Sequence, residues 1–230
     1  MLLFPNAKIN IGLNITKKLK SGYHSIESCF CPVGLYDIIE IKKSNSSDLI
    51  ETGIPIKCKE EDNLLLKVLR EIKMNNSFNI NLHKNIPIGS GLGGGSSDAA
   101  FLLKYLNTKK KIKFSKKNLL KVAEKIGSDC PFFIDNKIKY VTGTGNIFDD
   151  ISLDIKNKYI VIYIPEEKIS TFDAYQAINP KKSDYYLKDV LENENIENWS
   201  NFIRNDFEEF AFNKITILKK IKNSLKNKGA

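Results

Sequence analysis

A chain of 230 residues with 42% hydrophobic and 27% charged positions suits one large domain or two small ones, and this ordinary usage excludes a disordered chain. The formal net charge of +9, from 36 Lys and Arg against 27 Asp and Glu, is spread along the chain. With Lys109-Lys110-Lys111 as a solvated run, it reads as composition rather than as a nucleic-acid surface.

The start of the chain, with Pro5 and Asn6 and no basic stretch, is not a signal peptide, and no apolar run reaches the roughly 20 residues that span a bilayer. A cytoplasmic protein with no membrane or nucleic-acid partner is expected. Cys29, Cys31, Cys58 and Cys130 are too few and too irregular for a disulfide framework, and no second C-x-C or His cluster completes a metal site around Cys29 and Cys31.

In chain order, Ala7, Ile9, Ile11, Leu13 and Ile15 alternate with Lys8, Asn10, Gly12 and Asn14, the period of a half-buried strand. Lys8 and Asn10 then share one face, about 7 Å apart. Further strands are expected near Ile38–Ile41 and at Phe78–Leu82. Between them, Asp62 or Asn63 can cap a helix with Leu65, Val68, Leu69 and Ile72 on its apolar side.

Ala99, Ala100, Leu102, Leu103 and Leu106 repeat at helical spacing. Another helix starts at a Ser115 cap and ends at Gly127, expected in the left-handed conformation. Tyr159–Ile164 is continuously apolar and β-branched, which predicts a buried strand. Ser170 or Thr171 can cap a short helix that Pro180 stops, residues 181–201 are loosely patterned, and one last amphipathic helix is expected over Phe207–Leu225. Strands and helices without strict alternation predict α+β.

The most informative stretch runs Pro87, Ile88, Gly89, Ser90, Gly91, Leu92, Gly93, Gly94, Gly95, Ser96, Ser97. Five glycines in seven residues let backbone approach a ligand closely, and the helix that follows turns free N–H groups and its positive dipole end toward the loop. Such a site favours phosphate. Ser96 or Ser97 could bind phosphate oxygen or a magnesium shell. A P-loop needs Lys where Ser96 stands, a Rossmann site wants an acidic residue where Lys109–Lys111 stand, and protein-kinase signatures are absent.

The run Pro87 to Ala100 resembles the second motif of the galactokinase, homoserine kinase, mevalonate kinase and phosphomevalonate kinase (GHMP) superfamily. Ala7-Lys8-Ile9-Asn10, Gly22-Tyr23-His24, Asp62-Asn63-Leu64 and Gly127-Ser128-Asp129-Cys130-Pro131-Phe132-Phe133 are similar to one branch of it. That branch phosphorylates the 2-hydroxyl of a cytidine-diphosphate-linked methylerythritol in non-mevalonate isoprenoid synthesis. The discriminating element is Gly-Tyr-His.

The resemblance implies a two-lobed fold, with a ribosomal-S5-domain-2-like N-terminal lobe over about 1–150 and a ferredoxin-like C-terminal α/β sandwich over about 151–230. It implies ATP and magnesium, with Asp129 as the base that accepts the hydroxyl proton and Lys8 as its partner. A neighbouring ammonium favours the charged form of a carboxylate. Otherwise Lys8 would belong to a solvated strand face and Asp129 would cap a helix beside Pro131.

For the nucleotide the resemblance implies Asn63 and Lys84 beside the loop, and for the cytidine substrate Asn10, Tyr23, His24 and Tyr175. A third glycine-rich motif belongs to the family's second domain, and the chain ends at Gly229-Ala230 about where it would begin. A truncated chain is therefore expected, with two alternatives to the main reading: another small-molecule kinase of the superfamily, or a catalytically impaired nucleotide-binding protein.

Overall fold

The computed structural model describes residues 1–46, 48–72, 77–108 and 112–229, so the Lys109–Lys111 run lies outside the described residues. Two compact units emerge, one of residues 1–9 and 30–139 and one of residues 10–29 and 140–230. The sequence reading places a single cut at 150. The observed division is interleaved because two long strands, β2 (Asn6–Lys18) and β3 (His24–Tyr36), each pass from one unit to the other.

The first unit carries a sheet of order β1-β4-β6-β5, formed by β1 (Leu2–Leu3), β4 (Ile38–Ser44), β5 (Asp48–Gly53) and β6 (Ser77–Lys84). β4 pairs antiparallel with β6, Ile41 opposite Ile80, and β5 pairs parallel with β6. A parallel pair needs a long crossover, and α1 (Leu64–Glu71) lies in that connection.

The Asn63 side chain caps α1, accepting from the N–H groups of Leu65 at 3.0 Å and Leu66 at 3.5 Å. α1 packs on α2 (Gly94–Thr108), which packs on α3 (Lys116–Ile126) and α4 (Cys130–Asp135). Leu65, Val68, Leu102, Leu103, Leu106, Phe132 and Phe133 from these helices are all buried.

In the second unit the sheet order is β2-β3-β7-β8, with β7 (Lys139–Thr142) antiparallel to β8 (Ile147–Asp149). Gly22 at φ +87° makes the turn that joins β2 to β3. Among the described residues five α-helices follow: α5 (Thr171–Ala177), α6 (Leu187–Asn193), α7 (Trp199–Phe202), α8 (Glu208–Lys214) and α9 (Thr216–Asn227). Leu13, Ile15 and Ile26 form a core on which Tyr175, Ile178 and Phe207 pack. No helix among the described residues is long and apolar enough to cross a membrane.

Three local expectations are overturned. Tyr159–Ile164 is not a strand, and Tyr159 lies fully exposed; a β-branched run becomes a strand only where it finds a partner. Phe207–Leu225 is two helices, broken at Ile215, whose φ of −129° and ψ of 86° leave the helical region while its side chain stays buried. Gly127 has φ −170°, ordinary extended backbone; what favours glycine there is space, since a Cβ would lie 3.2 Å from Cys130 Sγ.

A buried charge cluster ties the first unit together. Lys84 Nζ is bonded to Asp37 Oδ2 and, at 2.9 Å, to Asp98 Oδ2. Asp37 Oδ1 also accepts the N–H groups of Asn85 at 2.6 Å and Ile86 at 2.9 Å. Asp98 Oδ1 has no partner among the described residues.

Burial pushes the Asp98 carboxyl up from 3.8 to about 7, with Lys84 pulling it down and Asp37 pushing it further up. Between those values the folded chain holds a proton that the unfolded chain has released, so the stabilisation is present in acid and lost as pH rises through about 7. Thermal unfolding should therefore show wild-type stability falling from pH 5 to pH 8 more steeply than that of Asp98→Asn. Equal slopes in the two proteins would refute this account.

Candidate active site

The glycine loop between β6 and α2 is built by backbone that only glycine adopts easily. Gly89, Gly91 and Gly93 have φ of +75°, +77° and +72°. Ser90 Oγ donates to the Pro87 carbonyl at 2.6 Å and tightens the turn. A Cβ at Gly91 would meet nothing within 4 Å among the described residues, so that position faces open space there. At Gly93 it would strike the Phe133 ring at 3.0 Å and Lys8 Cγ at 3.3 Å, and at Gly94 it would strike Ile86 at 2.8 Å. The loop is thus held against its supports on one side and open on the other, the form expected of a backbone cradle for an anion.

Strand β2 brings Lys8 to this loop. Its backbone N–H donates to the Leu92 carbonyl at 2.9 Å. Its side chain is buried, with Nζ 4.3 Å from the centre of the Phe30 ring and 3.5 Å from Asp129 Oδ2. Lys8 is therefore no solvated strand residue.

Asp129 stands at the start of α4 but makes no side-chain capping bond there, and it is itself in the helical region with Pro131 in the first turn. Its partly exposed carboxylate is turned to Lys8 instead. A lysine–carboxylate pair beside an open phosphate-type loop can orient a hydroxyl, accept its proton and neutralise charge on a transferred group.

The other site expectations divide. Ser97 is wholly buried, its Oγ without a hydrogen-bond partner among the described residues, while the Ser96 hydroxyl engages the Cys130 thiol, which burial pushes up to about 12. Ile88 is exposed. Asn63 is buried, with Oδ1 capping α1 and Nδ2 donating to Glu51 at 2.8 Å. Lys84 lies under the loop rather than on its open face: two of its three donors go to Asp37 and Asp98, and Nζ would lie 3.1 Å from a Cβ at Gly94.

In the second unit, Tyr23 is 69% exposed beside the Gly22 turn, and Asn10 is half-buried on β2. His24 is buried, its Nε2 without a hydrogen-bond partner among the described residues. Its ring stacks directly on Tyr175, centroids 5.1 Å apart and planes 17° apart, and Phe207 meets Tyr175 edge-on at 4.9 Å. His24 and Tyr175, both implied for the cytidine substrate, thus lie on one another. Asp37 escaped sequence reasoning because nothing local marks an aspartate between two strands; its meaning comes from Lys84 and Asp98, far along the chain.

Known proteins resemble this chain in sequence and fold. The profile for the GHMP kinases N terminal domain matches residues 63–137. All of the chain aligns at 42% identity with 87% of the 4-diphosphocytidyl-2-C-methyl-D-erythritol kinase of Azobacteroides pseudotrichonymphae genomovar. CFP2. The chain belongs to the 4-diphosphocytidyl-2-C-methyl-D-erythritol kinase family.

The Parabacteroides distasonis member of that family is 39% identical over all of this chain and 86% of its own length. A crystal structure of a 4-(cytidine 5'-diphospho)-2C-methyl-D-erythritol kinase superposes with a TM-score of 0.78 at 26% identity, covering 99% of this chain and 83% of that one. Mevalonate pyrophosphate decarboxylase from Streptococcus pyogenes shares the fold, with a TM-score of 0.59 at 14% identity over 88% and 71% of the two chains. The fold is therefore the α+β GHMP kinase fold, and the family makes this chain a small-molecule kinase with ATP as phosphate donor.

The two kinds of glycine in the loop are separable. Gly91→Ala adds only the backbone strain of a side chain at positive φ, roughly 1–2 kcal/mol. Gly93→Ala adds the same strain and a collision with Phe133. Denaturant unfolding should show the larger loss for Gly93→Ala; equal losses would mean that the loop does not rest on that ring.

Proposed function

We propose that this chain transfers the γ-phosphoryl group of ATP to the 2-hydroxyl of 4-diphosphocytidyl-2-C-methyl-D-erythritol. The observation that carries the chemistry is the Lys8–Asp129 pair beside the open face of the glycine loop, with Asp129 left uncapped. The hydroxyl proton passes to Asp129 as the oxygen bonds the γ-phosphorus and the bond to the β-γ bridging oxygen breaks, releasing ADP. Lys8 orients that oxygen and opposes charge on the moving group.

The backbone of Pro87–Ser97 would hold the phosphates. Lys84, buried beneath that loop, and Asn63, at the cap of α1, would act on the nucleotide by fixing the elements that surround it. Magnesium favours hard oxygen donors and keeps substrate phosphates as ligands. No cluster of three or more His, Cys, Asp or Glu side chains gathers for it among the described residues. The unpaired Ser97 hydroxyl, or that of Ser96, fits such an oxygen-only donor set, and the ion would neutralise phosphate charge.

Base recognition would fall to the second unit. Tyr23 offers an exposed ring face, the unpaired His24 Nε2 suits a polar edge of cytosine, and Asn10 would hold substrate hydroxyls. Tyr175 would part from His24 to admit the base.

Turnover should be measured with ATP and the cytidine substrate beside mevalonate, homoserine and a no-acceptor control. Phosphorylation of the cytidine compound alone is expected, and preference for another acceptor would overturn the substrate. Asp129→Asn should lower kcat by about 10²–10⁴-fold while ATP still binds. Tyr23→Ala removes an exposed ring at no cost to the core. It should raise KM for the cytidine substrate about tenfold, within the usual worth of a stacked base, and leave KM for ATP in place.

A further inference from the structure

The Asp37–Lys84–Asp98 cluster joins the two ends of the glycine loop. On the entering side, Asp37 Oδ1 binds the backbone N–H groups of Asn85 and Ile86, the two residues before Pro87. On the leaving side, Asp98 sits in the second turn of α2, directly after Ser97, and its Oδ2 is bonded to Lys84 Nζ. Lys84 closes the circuit through Asp37 Oδ2. Asp37 is itself fixed from outside the loop, its N–H donating to the Pro5 carbonyl at 2.9 Å.

All three side chains are buried, with 3% exposure or less. They therefore cannot be the groups that meet the triphosphate across the open face. Between the two anchors run glycines at positive φ, the backbone with the most freedom to lose on binding. Fixed ends limit that loss, because a cradle already in its bound shape gives up less on receiving its ligand.

We infer that Asp37 and Asp98, clamped on Lys84, are positioning residues that pre-set the glycine loop for ATP. The inference rests on the reading of that loop as the nucleotide-phosphate site. Neither carboxylate touches the reacting atoms, so their effect is on nucleotide affinity and not on recognition of the acceptor.

The test measures ATP dissociation constants without acceptor, backbone amide exchange at Gly89–Gly95, and both KM values. Asp37→Asn deprives the cluster of one acceptor, and Asp98→Ala detaches the α2 end. Each should weaken ATP binding about tenfold, ~1.4 kcal/mol, and speed exchange at the loop glycines while KM for the acceptor holds. Asp98→Asn keeps an oxygen toward Lys84 and should recover most of the affinity. Ile39→Val, a buried substitution in β4, serves as the control for stability alone.

If Asp37→Asn does not fold, Asp98→Ala and its Asn rescue still decide the matter. Variants that melt earlier yet bind ATP and exchange their loop amides like wild type would overturn the inference and leave the kinase reading intact. A wild-type chain that binds no ATP would overturn both.

Discussion

The first unit depends on one buried ion cluster. Two carboxylates and an ammonium at 3% exposure or less would each cost several kcal/mol if left alone. Their mutual satisfaction therefore admits little variation in where β6 ends, where the chain turns between β3 and β4, and where α2 begins. A hydrophobic cluster would hold these elements together without specifying their register so closely. From that fixed frame the glycine loop is suspended, and the N–H of Lys8 joins it from β2 at Leu92. Strand, loop and helix are thus set relative to one another before any ligand arrives.

The Lys8–Asp129 pair builds on the same frame. A lysine side chain carries about 2 kcal/mol of rotamer entropy, and Lys8 is relieved of that freedom by the Phe30 face beneath its ammonium, the Gly93 backbone along its stem and Asp129 at its tip. The start of α4 supplies the counterpart. A side-chain cap there is ordinarily worth about 1 kcal/mol, yet Asp129, a residue type suited to capping, makes no such bond. A local rule broken at a position that faces a buried lysine is the pattern expected where stability has been yielded to chemistry.

What the sequence made legible was local. Asn63, Ser115 and Ser170 each accept a first-turn N–H, and these caps can be read from a few neighbouring residues. The alternation over Ala7–Thr16 marked β2 for the same reason. β3 escaped because its middle is buried on both faces: Ser28, Cys29, Phe30 and Cys31 are all hidden, and Ser28 hides its hydroxyl by donating to the Gly12 carbonyl at 2.6 Å. Period two disappears from such a run, and a serine within it reads as solvent. Tyr159–Ile164 fails in the opposite way, carrying the composition of a buried strand while all of it but Ile162 lies exposed. The stripe from Phe207 to Leu225 continues through the break at Ile215 because α8 and α9 pack on each other, and periodicity does not register a change in backbone direction. The glycine loop was plain from composition, but the cluster beneath it was not, since residues 37, 84 and 98 share nothing until the chain is folded.

The aromatic stack in the second unit bears on selectivity through a comparison of magnitudes. An aromatic pair is worth about 0.5–1.5 kcal/mol beyond the area it buries, so parting Tyr175 from His24 costs about that much, and the Phe207 edge contact adds to it. A base stacked on an aromatic ring returns about 1–3 kcal/mol, and a hydrogen bond to the unpaired His24 Nε2 would remove the penalty of an unsatisfied buried group. On the proposed reading a cytidine-bearing acceptor can therefore offset the opening of the stack. An acceptor without a base meets the same closed rings and brings nothing to part them. The preference for a nucleotide-linked alcohol would then come as much from contacts the free protein already makes with itself as from those it offers to the substrate.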